Sequence, residues 1–481
     1  MKKFLCLWIL ALPLASTMLP ARAQQNPPPN QPNLMPTAVC VRCIRAHMDF
    51  LASDALRGRG SGTPDELVAA TYVASEFEQY GIEPAGDSGG FIQRATVIRH
   101  PVIAPPRLTF NSSGPASPIT TWVHGKEFLA LKLGDRLVSG PLEKFNPSRA
   151  RSIKPGAFVF ITTSGGQDTE QLALQLASQG AVAVVVPETT QLRARWKALA
   201  AKMPSLPVQV EGQPAGGMGP RFTVLAVTGS GATQLARLRD GTMLRVHART
   251  GKTEQTYTWN VVGKITGTHP GQQHDDILFT AHLDHLGIGA PINGDNIYNG
   301  ADDDASGTTA VIELARALAA LPKPRRTVIF ALFGSEEKGG LGSVYFREHP
   351  PVPLKDIAAY LEFEMIGRPD PAVPRDTLWL TGWNRTNLGP ELARHGAHLV
   401  GDPHTAEDFF PRSDNYVFAK QGVVAQTVSS YGLHRDYHQP SDDLSRIDFQ
   451  HMDEAIESML GPVIWLANSD FVPHWNEGGQ P

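Results

Sequence analysis

Imidazole and carboxylate side chains are the ligand types that suit divalent zinc. In this chain they are spaced along one stretch. It opens with His282-Leu283-Asp284-His285 and passes through Gly300-Ala301-Asp302-Asp303-Asp304-Ala305-Ser306-Gly307. It closes with Gly334-Ser335-Glu336-Glu337. Glu364 and His438 follow later apolar runs of their own. Two ions about 3.5–4 Å apart can lower the pKa of a bound water and clamp a tetrahedral intermediate. Such a pair needs a carboxylate between them, and Asp303 can bridge. His282 with Glu364 would complete one ion, and Glu337 with His438 the other. Glu336, next to ligand Glu337, would face the water as general base and then general acid. Asp284 would hydrogen-bond the far nitrogen of His282, the usual place for a carboxylate behind a metal-bound imidazole. Each piece is weak alone. H-x-D is frequent by chance, adjacent glutamates usually mark a solvated face, and Asp304 or Ser306 would serve equally as a helix cap.

Placement is what separates these residues from chance. After Trp259-Asn260-Val261-Val262 the pattern alternates strand and helix. Apolar runs predict strands over 276–281, 327–333, 357–363, 377–381 and 423–428. Helices are expected over 305–321, with Val311, Leu314, Ala315 and Leu318 on one stripe, and over 341–349 and 451–468. Repeated βα units with fully apolar strands imply an α/β fold: a mixed, largely parallel sheet with helices on both faces. In such sheets sites form beyond the carboxyl ends of the strands. His282 and Asp284, Glu336 and Glu337, Glu364, and His438 all fall at those ends. The three aspartates precede the long helix, whose N-terminus favours negative charge.

The rest of the chain frames that half. A length of 481 residues exceeds one ordinary domain. A net charge of -4 gives no basic footprint, which argues against nucleic acid as a partner. Lys2 and Lys3, the apolar run 4–19 and Ala21-Arg22-Ala23 read as a secretory signal over 1–23, too short and too Pro-broken for a membrane span. The protein is therefore expected to be exported, periplasmic or secreted, with no stable membrane insertion. Residues 24–36 are a Pro-rich linker. In the mature chain Cys40 and Cys43 remain, a pair able to close a small disulfide. The folded chain is divided as 37–105, 106–254 and 255–475. The first carries an amphipathic helix over 66–80 (Val68, Tyr72, Val73 and Phe77 as its stripe) ended by Gly81. The middle part has short apolar strands and no clustered ligands. It reads as a small, separate β-rich α/β domain with a covering or spacing role.

Two decoys fail on context. Gly86-Asp87-Ser88-Gly89-Gly90 spells a serine-nucleophile signature, but a helix precedes it and none follows, so it is a Gly-rich turn. The polar stretch 295–300 begins like a calcium loop, but Ile297 takes a ligand position and Ser306 stands where the bidentate Glu belongs.

Taken together, HLDHLG, GADDDASG, SEEKGGLGS, EFEMIGRP and DYHQPSDD resemble the co-catalytic zinc peptidase family that includes bacterial leucyl aminopeptidase and the glutamate carboxypeptidase group. The likeness covers about 255–470 and the segment 47–93, including LASDALRGRGSGT; the middle region resembles the protease-associated domain often inserted in these enzymes. The resemblance implies two Zn²⁺ ions held by His282, Asp303, Glu337, Glu364 and His438, with Asp284 and Glu336 catalytic. It implies an aminopeptidase acting on peptides with a free N-terminus through a metal-bridged hydroxide. Glutaminyl cyclase-like, carboxypeptidase-like and non-enzymatic receptor-like members share the fold and stay open as alternatives. Glu364 stands where many members have Asp, and Asn415 where His is frequent.

Overall fold

The computed structural model describes residues 38–111, 118–149, 152–163, 169–213, 221–269 and 275–481. The expected signal segment 1–23 and linker 24–36 lie outside the described residues. The apolar runs form one mixed sheet whose main strands are β1 (Ile92–Arg99), β2 (Glu254–Ile265), β3 (Asp276–His282) and β4 (Val328–Phe333), then β5 (Ile357–Phe363), β6 (Leu378–Leu380), β7 (Leu399–Gly401) and β8 (Ala425–Ser429). Across the sheet they run β7-β6-β8-β5-β3-β4-β2-β1, with Gln209–Val210 beyond β1 and Glu83–Pro84 beside β2. The centre, β8-β5-β3-β4, is parallel. Both flanks are antiparallel: β6 on β8, β2 on β4, and β1 on β2. The chain steps from β3 out to β4, then returns across β3 to lay down β5. The strand order thus reverses at β3, and a crevice opens where its carboxyl end meets its two neighbours.

Helices cover both faces. Phe279, Ala281, Phe330, Leu332, Leu361 and Phe363 pack against helices α1 (Val41–Leu51), α2 (Pro64–Tyr80), α3 (Gly307–Ala319) and α5 (Phe449–Asn468). The alternate positions Leu278, Ile329, Phe333 and Tyr360 pack on the other face against Val344 and Phe346 of α4 (Leu341–Glu348), with Phe418. Two-sided burial is why these strands are apolar throughout.

Helix boundaries follow local chemistry. Pro64 opens α2 at a position where no backbone donor is needed, and Gly81 at φ 73 closes it. Its buried positions are Glu66, Ala69, Ala70, Val73 and Phe77; Val68, expected on the apolar stripe, is 45% exposed. The alanine pair lets the helix lie close to its neighbours, and the same helical phase leaves Val68 on the outer face. The helix expected over 305–321 starts later, at Gly307, because Ala301–Ser306 form a wide π-type turn in which Asp303 and Asp304 leave helical geometry. The Asp303–Asp304 peptide is cis. Cys40 and Cys43 are joined as a disulfide at the start of α1.

A second, eight-stranded sheet is built from 107–247. It holds the three apolar runs of the middle region as parallel neighbours, Phe158–Ile161, Ala183–Pro187 and Thr223–Val227. Its apolar clusters, around Phe158 with Leu244 and around Val184 with Leu176, share no residue with those of the main sheet. Among the described residues no helix is long and apolar enough to cross a membrane.

Candidate metal centre

The carboxyl ends of the parallel strands deliver the site. His282 is the last residue of β3. Glu336 and Glu337 open the short turn after β4, Glu364 follows β5, and His438 lies in the loop after β8. Left-handed backbone at Ser335, Met365 and His438 turns the chain sharply at Glu336 and Glu337, at Glu364 and at His438.

Asp303 stands in the middle. His282 Nε2 lies 3.1 Å from its Oδ1, and His438 Nε2 lies 3.2 Å from its Oδ2. Two groups of potential ligand atoms share it: His282, Asp303 and Glu364, and His285, Asp303 and Glu337. Within each group the atoms fall within 4.8 Å of one another. His438 Nε2 also reaches Glu337 Oε2 at 3.3 Å, joining the second group from the solvent side. His285 was not among the expected ligands. Its Nδ1 is 2.7 Å from Glu337 Oε1, yet the two are out of line for a hydrogen bond. His282 Nε2, both ring nitrogens of His285 and Glu337 Oε1 are buried without hydrogen-bond partners among the described residues. Buried polar atoms are rarely left so. Convergent imidazole and carboxylate atoms with unused lone pairs are the donor set that zinc takes.

The electrostatics agree. Burial opposes a charge on His282, but Asp284, Asp303, Asp304 and Glu336 outweigh it and hold the imidazole well above its ordinary pKa. His438 is likewise raised to about 10, against burial, by Asp303 and Glu337. Burial pushes Glu336 well up; His282 opposes this, while Asp414, Glu337 and Glu364 add to it. Glu364 is raised by burial and Asp303 against His282. The cluster has more carboxylate than its imidazoles can neutralise, and this favours cations.

Asp284 is placed differently from expectation. Its Oδ1 is 3.8 Å from His282 Nδ1, while its backbone carbonyl is nearer, at 3.2 Å. The carboxylate instead accepts the Glu336 N–H at 2.9 Å and the Ser61 hydroxyl at 2.5 Å. Asp284 orients the imidazole through its main chain and the Glu336 turn through its side chain. Further carboxylates hold the frame. Asp304, fully buried, accepts from the backbone of His282, Gly307 and Met365. Asp442 accepts the N–H groups of Asp302 and Asp303. Glu66, from α2, accepts Ser335 Oγ and Trp259 N. Asn415 stays off the cluster: its side chain donates to the carbonyls of Phe410 and Ala425. Ser88 sits in an isolated exposed turn over Asp87–Gly89. Beside Glu364 a small cleft is walled by Trp379, Phe409, Tyr431 and Tyr437, with Arg412 and Met365.

The comparisons point the same way. Residues 260–461 match peptidase family M28. An aminopeptidase of Pseudomonas aeruginosa is 36% identical over 118 residues, covering 24% of this chain and 20% of that one. A probable lipoprotein aminopeptidase of Mycobacterium tuberculosis is 29% identical over 259 residues, 47% of this chain and 49% of that one. The chain thus spans between a fifth and about half of these relatives. The solved aminopeptidase from Aneurinibacillus sp. strain AM-1 superposes with a TM-score of 0.54 over 91% of this chain and 96% of its own, at 18% identity, a likeness of fold.

Proposed function

We propose that this chain, whose residues 260–461 match peptidase family M28, is an exported zinc-dependent aminopeptidase of that family that removes N-terminal residues from peptides. The observation that carries this reading is the pair of ligand groups sharing Asp303, with Glu336 one residue from Glu337. His282, Asp303 and Glu364 would hold one Zn²⁺, and Asp303, Glu337 and His438 the other, with His285 beside it. When bound, such ions supply Lewis acidity toward the scissile carbonyl and make a water nucleophilic near neutral pH. The chain's own groups do the rest. Glu336 takes the proton of the attacking water and hands it to the departing amine nitrogen. Asp284 fixes the turn that carries Glu336. The carboxylate excess receives a free α-ammonium, and the aromatic cleft beside Glu364 receives its side chain. We assign 37–105 and 255–475 to the peptidase domain and 106–254 to an inserted domain of protease-associated type. The features of segment 1–23 support export, as does the Cys40–Cys43 disulfide, which suits an oxidising compartment.

The test is a panel of aminoacyl chromogenic amides, run beside N-acetylated controls and N-terminal Gln peptides, before and after chelation and zinc repletion. Hydrolysis of the free amides alone, silenced by chelation and restored by zinc at two ions per chain, is expected. Equal turnover of the acetylated amides, cyclisation of the Gln peptides, or full activity with one zinc would sink the reading.

A further inference from the structure

We propose that Arg59 is a positioning residue of the candidate metal centre, a single buried guanidinium that ties the turn carrying His282 and Asp284 to the turn leading into Asp303. The inference rests on the reading that His282 and Asp303 hold metal.

Arg59 is 1% exposed, and among the described residues its side-chain hydrogen bonds run to main-chain carbonyls. Nε donates to Leu283 O at 3.0 Å, the residue between His282 and Asp284. One terminal nitrogen donates to Asn299 O at 2.7 Å and to Leu51 O at 2.6 Å. The other donates to Gly300 O at 3.0 Å, immediately before the turn that bears Asp303. One rigid, planar fork thus sets the spacing of two segments that are separate in sequence and meet at the metal centre. The main chain around Arg59 returns the grip. His285 N donates to Arg59 O at 3.1 Å, and Ser61 N donates to His285 O at 3.2 Å. The loop is pressed tightly in place: a Cβ on Gly58 would lie 2.2 Å from Tyr298 O. Arg57 and Arg59 both adopt left-handed backbone, at φ 48 and 47.

A role in joining carbonyls alone would call for donors, with no reason for a permanent charge. A guanidinium buried without a carboxylate bonded to it is costly to keep. Part of that cost is offset one layer away. Burial is the larger effect and lowers the pKa of the guanidinium, while the charges of Asp284, Asp304, Asp303 and Asp442 oppose it. These are the carboxylates that hold or frame the metal ligands. Arg59 therefore meets two needs of the site: it fixes two backbone turns and balances part of the negative charge gathered there.

The experiment measures zinc affinity by chelator competition and the visible spectrum of the cobalt(II)-substituted protein, for wild type, Arg59→Met and Arg59→Lys. Thermal unfolding of each metal-free protein is followed in parallel. Leu466→Ala, a cavity variant in α5, serves as a control that loses stability without touching these turns. Arg59→Met is expected to lose about 10–100-fold in zinc affinity, the range for groups that orient metal ligands, with shifted cobalt bands. Arg59→Lys, which keeps the charge and loses the fork, should fall between it and wild type. Leu466→Ala should lower Tm and leave both metal readouts unchanged. The proposal is overturned if folded Arg59→Met keeps zinc affinity within about twofold of wild type, given that range, and an unaltered cobalt spectrum, however far its Tm falls. If Arg59→Met does not fold, Arg59→Lys decides by the same criteria. Wild-type protein that binds no zinc would instead overturn the metal reading itself.

Discussion

Glu336 and Glu337 are neighbours in one turn with opposite electrostatic settings. Burial and Asp303 push Glu337 up, but His285 and His438 win and hold it low, as suits a ligand. Glu336 faces burial and other carboxylates, so it is held well above the usual range and is suited to accept a proton. Replacing Glu336 by Gln removes the proton acceptor. The backbone bond to Asp284 and every assigned ligand remain. Glu336→Gln should therefore keep its zinc while kcat falls about 10²–10⁴-fold; metal analysis beside steady-state kinetics checks both halves, and unchanged turnover removes Glu336 from the mechanism. At this scale the sequence was most informative where a ligand type ended an apolar run. His282, Glu337 and Glu364 stand out that way, His438 falls in the loop after such a run, and the four come together around Asp303. His285 escaped notice because a second histidine in one short loop reads as ordinary; only its orphaned nitrogens give it away. Arg59, Glu66 and Asp442 were illegible for another reason. They act by hydrogen bonds to segments far away in the chain, and no spacing rule encodes that.

The turn Gly300–Ser306 is the element on which the centre depends. It carries the shared carboxylate, and its unusual path puts Asp303 toward the ligands while Asp304 turns back to tie β3 and β5 together. Gly300 makes the entry possible. It sits at φ 60, and a Cβ there would lie 2.1 Å from Asp303 O and 2.5 Å from the His285 ring. Gly300→Ala should thus cost more than about 1–2 kcal/mol, the strain of the left-handed conformation alone. It should also displace Asp303, so zinc content falls together with activity. Urea unfolding and metal analysis of the purified variant test this; a Gly300→Ala protein of wild-type stability and full zinc content would contradict it. Element identity was well marked in the sequence, because continuous apolar runs of strand length leave few alternatives. The boundary here was not. Three aspartates before an apolar stripe look like a helix cap, and a pattern of residue types cannot distinguish a cap from a widened turn. The antiparallel flanks were equally hidden, since β1 and β2 are separated in sequence by the whole second sheet.

At the scale of the whole molecule, α1, α2 and α3 meet on the sheet face that holds the larger core, and His47 is buried at that junction. Its Nδ1 lies 2.7 Å from Tyr72 Oη and its Nε2 3.4 Å from Tyr80 Oη. Burial first, and the charge of Arg316 second, lower its pKa from 6.5 to about 4. Folded protein therefore refuses a proton that the unfolded chain accepts. His47 costs nothing above its unfolded pKa. Its cost grows as pH falls from 6.5 toward 4 and is then constant. At pH 5 these two values give a loss of about 2 kcal/mol. Asp276 and Asp453, each raised to about 6, act with the opposite sign as pH falls. The informative quantity is thus a difference between proteins. Gln at position 47 carries no titrating group and still offers an amide to Tyr72. The stability of metal-free wild type relative to His47→Gln, from urea unfolding, should drop by about 2 kcal/mol between pH 7.5 and pH 5. Working without metal removes the pH dependence of metal binding, and the titrations of the site itself cancel in the difference. A relative stability equal at both pH values would mean that His47 takes up its proton in the folded protein, and that the three helices open around it more readily than their packing implies.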